Sequence, residues 1–151
     1  MSLENLQEEL TKTFSGNFVS YYRSHVAHVN IIGRNFYSDH KLLQKIYEYF
    51  QDNIDTIAEK LRTIKAKMPV DIATVTIESP IMDFPTVGDC YELLTQVDEA
   101  LESMIEQYHA LNDAAEEVDY IDISNFAQDQ IGQLARFRWM IESTLEETKE
   151  E

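Results

Sequence analysis

Two histidines and two carboxylates are the residues of this 151-residue chain whose types and spacing suit metal chemistry. His28 and His40 stand on either side of Gly33, so the end of one helix and the first turn of the next can present both imidazoles to one region. Asp55 and Glu59 are four residues apart, which places both carboxylates on one helical face. Imidazole with carboxylate is a donor set suited to iron. His40 and Asp55 are fifteen residues apart on one helix, a span of roughly 22 Å at about 1.5 Å per residue, too long for one ion to bridge. If all four serve one metal, the carboxylates come from a second, antiparallel copy, as a two-fold dimer provides. Taken singly, each has a plainer reading: an interior histidine, or a solvated acidic face.

The elements that must position these residues are helices. Leu3, Leu6, Leu10, Phe14, Phe18, Tyr21, His25 and His28 recur at steps of three and four, one stripe of an amphipathic helix. Gly33 is the expected helix stop and Asn35 the next cap. A second helix is expected from about Phe36 to Lys65, ended by Pro69, with Leu43, Tyr47, Phe50, Ile54, Ile57 and Leu61 on its apolar side. The segment from Pro69 to Pro85 holds three prolines and the β-branched cluster Val75, Thr76 and Ile77, and reads as a crossover with one short helix. Such a connection can join helices that are not antiparallel neighbours. Thr86 with Asp89 resembles a capping box opening a third long helix through about Ala115, and Ser124 is the expected cap of the last. The tail EETKEE is expected to fray.

Composition sets the bounds. Hydrophobic residues make up 44% of the chain, enough for one core, and four Gly and three Pro are too few for a sandwich or barrel. No apolar stretch approaches a membrane span, and the expectation is a soluble, cytoplasmic protein. The single cysteine, Cys90, cannot form an intrachain disulfide. The formal net charge of −16 opposes phosphate backbones, and no basic patch overrides it; Lys60, Arg62, Lys65 and Lys67 read as a solvated helix end.

The run His28, Gly33, Phe36, His40, Tyr47, Asp55, Ala58, Glu59 resembles, in identity and order, the iron-oxidising segment of the Dps family (DNA-binding protein from starved cells). Arg138, Trp139 and Met140 resemble the Trp-Met near that family's last helix, and the sharp part of the likeness lies in residues 25–62. The resemblance implies an all-α, ferritin-like four-helix bundle over residues 1–151, with a long crossover between its second and third long helices. It implies a dodecameric hollow shell that binds ferrous iron at two-fold interfaces. There iron would be oxidised, preferentially with hydrogen peroxide rather than oxygen, and ferric mineral would collect inside. On this resemblance His28 and His40 of one subunit, with Asp55 and Glu59 of its partner, are the iron ligands. Two departures stand out. Gln44 takes a position where the family commonly has another carboxylate, so a second iron position is weakened and Gln44 is at most a neighbour of the ligands; Val29 replaces a usual aromatic. His25 is expected as a helper or core residue.

Two alternatives stay open. A larger ferritin or bacterioferritin builds its di-iron site within one bundle from two Glu-x-x-His pairs, and this chain has one, Glu106 to His109. A non-catalytic helical scaffold is the other. The acidic turn with Glu116, Glu117, Asp119 and Asp122 is a candidate opening through which iron passes into the shell. Both chain ends are acidic, so direct DNA binding is not expected.

Overall fold

The computed structural model describes residues 2–146. Four long helices and a short one account for the order of the chain: α1 (Leu3–Asn30), α2 (Phe36–Thr63), α3 (Ile72–Glu78), α4 (Cys90–Glu117) and α5 (Ile121–Leu145). Short links make α1 and α2 one antiparallel hairpin and α4 and α5 another. Cys90, which opens α4, lies against Gly33 in the first link: a Cβ built on Gly33 would stand 3.4 Å from its sulfur. The segment between α2 and α4 therefore travels the length of the bundle, and α4 runs parallel to α2. It is the crossover expected from the prolines, with α3 packed on α1.

Each helix buries the stripe that its spacing defines. Along α2, Leu43, Ile46, Phe50, Ile57 and Leu61 are fully buried, each contributing about 1.5–3 kcal/mol of transfer free energy. Facing them are Leu6, Leu10 and Phe14 of α1, Leu101, Met104 and Leu111 of α4, and Leu134 and Ile141 of α5. Gly16 lets the crossover approach α1, because a Cβ there would sit 2.8 Å from the Met104 sulfur and 3.2 Å from the Pro80 ring. Higher on the same helix Arg23 is buried, donates to the Met82 carbonyl and lies with its guanidinium 4.1 Å from the centre of the Phe84 ring. Burial pulls its pKa down while Asp83 and Glu99 push it back up.

Several helix boundaries differ from the sequence expectation. α2 ends at Thr63, close to the expected Lys65 and well before Pro69. Lys65 takes a left-handed conformation (φ 69°), and its N–H and that of Ala66 donate to the Arg62 and Leu61 carbonyls at 3.0 and 2.9 Å, a Schellman stop without glycine. The capping box of α4 lies one turn later than Thr86: Asp89 accepts from the Glu92 N–H at 2.8 Å and Glu92 accepts from the Asp89 N–H at 2.9 Å. A true Glu at the third helical position closes both bonds, which the Thr86 and Asp89 pair cannot do. Ser124 does not cap α5; its hydroxyl donates to Asn112 on α4 at 2.6 Å, and the helix begins at Ile121. Asn35 does precede α2 but makes no side-chain capping bond. The cluster Val75, Thr76 and Ile77 falls inside α3, where Asp71 caps the helix through the Thr74 N–H. The expected fraying of EETKEE concerns residues that, beyond Glu146, lie outside the described part.

Candidate metal centre

The α1–α2 hairpin brings His28 and His40 into face-to-face contact. Their ring centres are 3.8 Å apart and their planes 17° from parallel. Each ring bonds the other residue's backbone: His28 Nδ1 lies 2.8 Å from the His40 carbonyl, and His40 Nδ1 lies 2.8 Å from the His28 carbonyl. A carbonyl oxygen only accepts, so Nδ1 of each ring carries the proton. In the neutral tautomer of either ring the lone pair then falls on Nε2, the arrangement by which an imidazole is set up for a metal. Among the described residues, nothing hydrogen-bonds either Nε2. Burial first, with the neighbouring imidazoles adding to it, lowers the His28 pKa below its ordinary value, against the opposing pull of the His40 carbonyl and Glu48. Neutral His28 is thereby favoured. The His28 carbonyl belongs to the last turn of α1, where helix carbonyls lack a partner within the helix, so the His40 bond also satisfies an orphan acceptor.

Asp55 and Glu59 lie toward the other end of the unbroken helix α2, exposed, and without a hydrogen bond or ion pair among the described residues. The structure brings the two histidines together and leaves the two carboxylates apart from them. No group of three or more His, Cys, Asp or Glu among the described residues is arranged to hold a metal within one chain. Donor type fits iron at both ends: an imidazole pair with each Nδ1 held by a backbone carbonyl, and two carboxylates without a partner among the described residues.

Around the imidazoles, Gln44 donates to Glu48 at 3.0 Å, so a carboxylate lies one turn beyond the position where Gln44 stands. Phe36 stacks on His40 at 4.8 Å. Three aromatic residues complete the cluster: His25 is parallel to Tyr47 (3.9 Å, 4°), Tyr47 touches His28 (4.9 Å), and the Tyr21 hydroxyl lies 2.8 Å from His25 Nδ1. Sequence reading placed Tyr21 only on an apolar stripe, and Tyr47 both on one and in the run that resembles the iron-oxidising segment. The spacing of four between Tyr21 and His25 was the available signal of their pairing.

The intrachain alternative does not assemble. Glu106 and His109 are exposed on α4. Where an internal site would lie between α2, α4 and α5, the bundle holds Tyr49, Tyr108 and Gln130: the Tyr49 hydroxyl donates to the Gln130 side-chain carbonyl at 2.6 Å, as does the Asn53 amide at 3.0 Å. Burial raises the pKa of both phenols. At the α4–α5 turn, Glu116, Asp119 and Asp122 are all exposed, with Asp119 left-handed at φ 61°. Cys90 is free and half-buried, and no helix is long and apolar enough to cross a membrane among the described residues.

A family model described as a ferritin-like domain matches residues 4–150. The DNA protection during starvation protein of Helicobacter pylori is 25% identical over 129 residues, spanning 84% of this chain and 89% of that protein. Its namesake from Brevibacillus brevis is 24% identical over 128 residues, spanning 85% and 86%. Of solved structures, Dps from Thermosynechococcus elongatus superposes with a TM-score of 0.92 at 16% identity, covering 96% of this chain and 92% of that one. Helicobacter cinaedi CAIP superposes with a TM-score of 0.85 at 26% identity, covering 93% and 99%.

Proposed function

The chain belongs to the ferritin-like family, and from that premise we propose that it is a Dps-type iron-oxidising and iron-storing subunit whose metal site is completed by a second copy. The observation that carries this reading is the reciprocal bonding of His28 and His40, which uses each Nδ1 on the other residue's carbonyl and leaves both Nε2 atoms without a partner among the described residues. Ferrous iron is the substrate. His28 and His40 of one subunit bind it, Asp55 and Glu59 of the partner supply anionic oxygens, and hydrogen peroxide or oxygen takes the electrons. Carboxylates favour the ferric product, because they offset its extra charge. Ferric mineral then gathers in the shell, removing iron and peroxide that would otherwise do oxidative damage.

Assembly is supported by the apolar surface that the single chain leaves in water. Tyr22, Val29 and Ile32 are 61%, 61% and 75% exposed along α1 and its end, and Ile72, Ile77 and Met82 are 62%, 78% and 75% exposed on the crossover. Exposure on this scale marks an interface. A closed shell, dodecameric as in Dps, covers it and pairs each imidazole end with a carboxylate end.

His40→Ala and Glu59→Ala should each strongly reduce iron oxidation while leaving helical content unchanged, since neither empties the core. Mixing decides where the site lies. Co-assembled His40→Ala and Glu59→Ala subunits should regain part of the activity, through interfaces where a wild-type imidazole half meets a wild-type carboxylate half. Verified mixed shells with no recovery would refute a shared site.

A further inference from the structure

The cluster behind the imidazoles contains a phenol that no ligand role uses. Tyr21 is half-buried and its hydroxyl oxygen lies 2.8 Å from His25 Nδ1. In the tautomer that carries its proton on Nε2, His25 Nδ1 accepts this bond from the Tyr21 O–H. A base at this distance can take the proton at the moment the phenol loses an electron. From the pair the aromatic contacts are unbroken: Tyr21 to His25 at 5.4 Å, His25 on Tyr47 at 3.9 Å, Tyr47 to His28 at 4.9 Å, His28 on His40 at 3.8 Å. One end of the series is a tyrosine already bonded to its base. The other is the imidazole pair assigned to iron.

We propose that Tyr21 and His25 form a redox pair that lends one electron to the iron site during reduction of hydrogen peroxide. This rests on the iron-oxidising reading above. Peroxide needs two electrons and two protons to become two waters. One ferrous ion supplies one electron and becomes ferric. Tyr21 supplies the second through Tyr47 and His28, its phenolic proton passes to His25 Nδ1, and solvent supplies the two protons of the waters. The pair is left as a neutral tyrosyl radical beside an imidazolium. A second ferrous ion then returns the electron, His25 returns the proton, and the sum is two ferric ions formed per peroxide. The pair matters whenever the site holds a single ferrous ion. With one ion in place, a local donor keeps the first electron transfer from releasing hydroxyl radical.

The test mixes ferrous-loaded shells with peroxide and freezes them within the reaction. A tyrosyl radical in the electron paramagnetic resonance spectrum, narrowed by ring-deuterated tyrosine, is expected in the parent and lost in Tyr21→Phe. His25→Phe keeps a ring against Tyr47 but removes the proton acceptor, and it should lose the signal too. Spin-trapped hydroxyl radical should rise in both variants. A second arm needs no iron: photogenerated tris(bipyridine)ruthenium(III) should oxidise Tyr21 ahead of the other seven tyrosines, and the radical yield should fall in Tyr21→Phe. A radical that persists unchanged in Tyr21→Phe in either arm overturns the proposal, as does a parent that oxidises iron with peroxide and forms none. A parent inert toward iron whose ruthenium arm still marks Tyr21 overturns the iron-oxidising reading and the lending of an electron to iron, and keeps only the Tyr21–His25 pair as an oxidisable site.

Discussion

At the scale of single residues, the informative contrast is between polar groups that find a partner and groups that find none among the described residues. His28 and His40 have each Nδ1 satisfied at 2.8 Å and each Nε2 without a partner; Asp55 and Glu59 have none among the described residues. The sequence made these four residues legible, since type and spacing alone exclude a shared ion within one helix. It did not reveal the ring stacking or the proton positions, because those depend on how two helix ends meet in space. Gln44 supports a direct prediction. Gln44→Asp puts an oxygen donor one turn from His40, beside Glu48, and should increase the ferrous ions bound per interface in anaerobic titration. An unchanged stoichiometry would mean that this position does not face the metal.

At the scale of elements, the stops and the interior each make a prediction. Asp119 ends α4 with a positive φ, and its N–H and that of Tyr120 donate to the Glu116 and Ala115 carbonyls at 3.2 and 2.9 Å. A left-handed residue with a Cβ costs about 1–2 kcal/mol, and an anion at a helix C-terminus adds to that. Asp119→Gly relieves both but gives the unfolded chain more freedom, at roughly 0.5–1 kcal/mol. The net should be a gain on the order of 0.5–1 kcal/mol in denaturant unfolding. Pro69 and the apolar periodicity placed the ends of α2 and α4 near Lys65 and Ala115, within two residues of Thr63 and Glu117, but without a glycine the left-handed conformations of Lys65 and Asp119 were not legible; the crossover, written in prolines, was. In the interior, Tyr49 and Tyr108 have pKa values raised by burial. Both phenols hold their protons longer folded than unfolded. Their contribution to stability is thus complete below the ordinary phenol value near pH ~10 and is lost as pH rises above it. Tyr108→Phe should flatten the alkaline limb of stability against pH relative to the parent. Parallel curves would exclude the linkage.

At the scale of the whole molecule, charge and surface decide what approaches. Glu116, Asp119 and Asp122, repeated about a three-fold axis of a shell, would focus a negative potential and concentrate cations. Replacing Asp119 and Asp122 by Asn should slow iron uptake, most at low ionic strength; rates equal to the parent's would remove the gate from that turn. The same field opposes DNA. With −16 per chain, and with Glu4, Glu8 and Glu9 but no Lys or Arg among residues 1–10, these residues offer no cations to displace counterions from phosphates. Gel-shift titration at about 150 mM monovalent salt with chelator should show no retardation of duplex DNA at micromolar protein. Retardation only with magnesium would indicate cation bridging.

The paired bonds between the two histidines also act as a ruler. A slip of one residue in either helix would move a ring and a carbonyl together and break both bonds at once, so the hairpin has one alignment in which they close. The residues are only twelve apart in the chain, and closing a loop of that size takes about 10–100 ns. The imidazole pair can therefore be assembled in a nascent chain before α4 exists, and in the shared site proposed above the meeting of two finished subunits would then be the slow, concentration-dependent step.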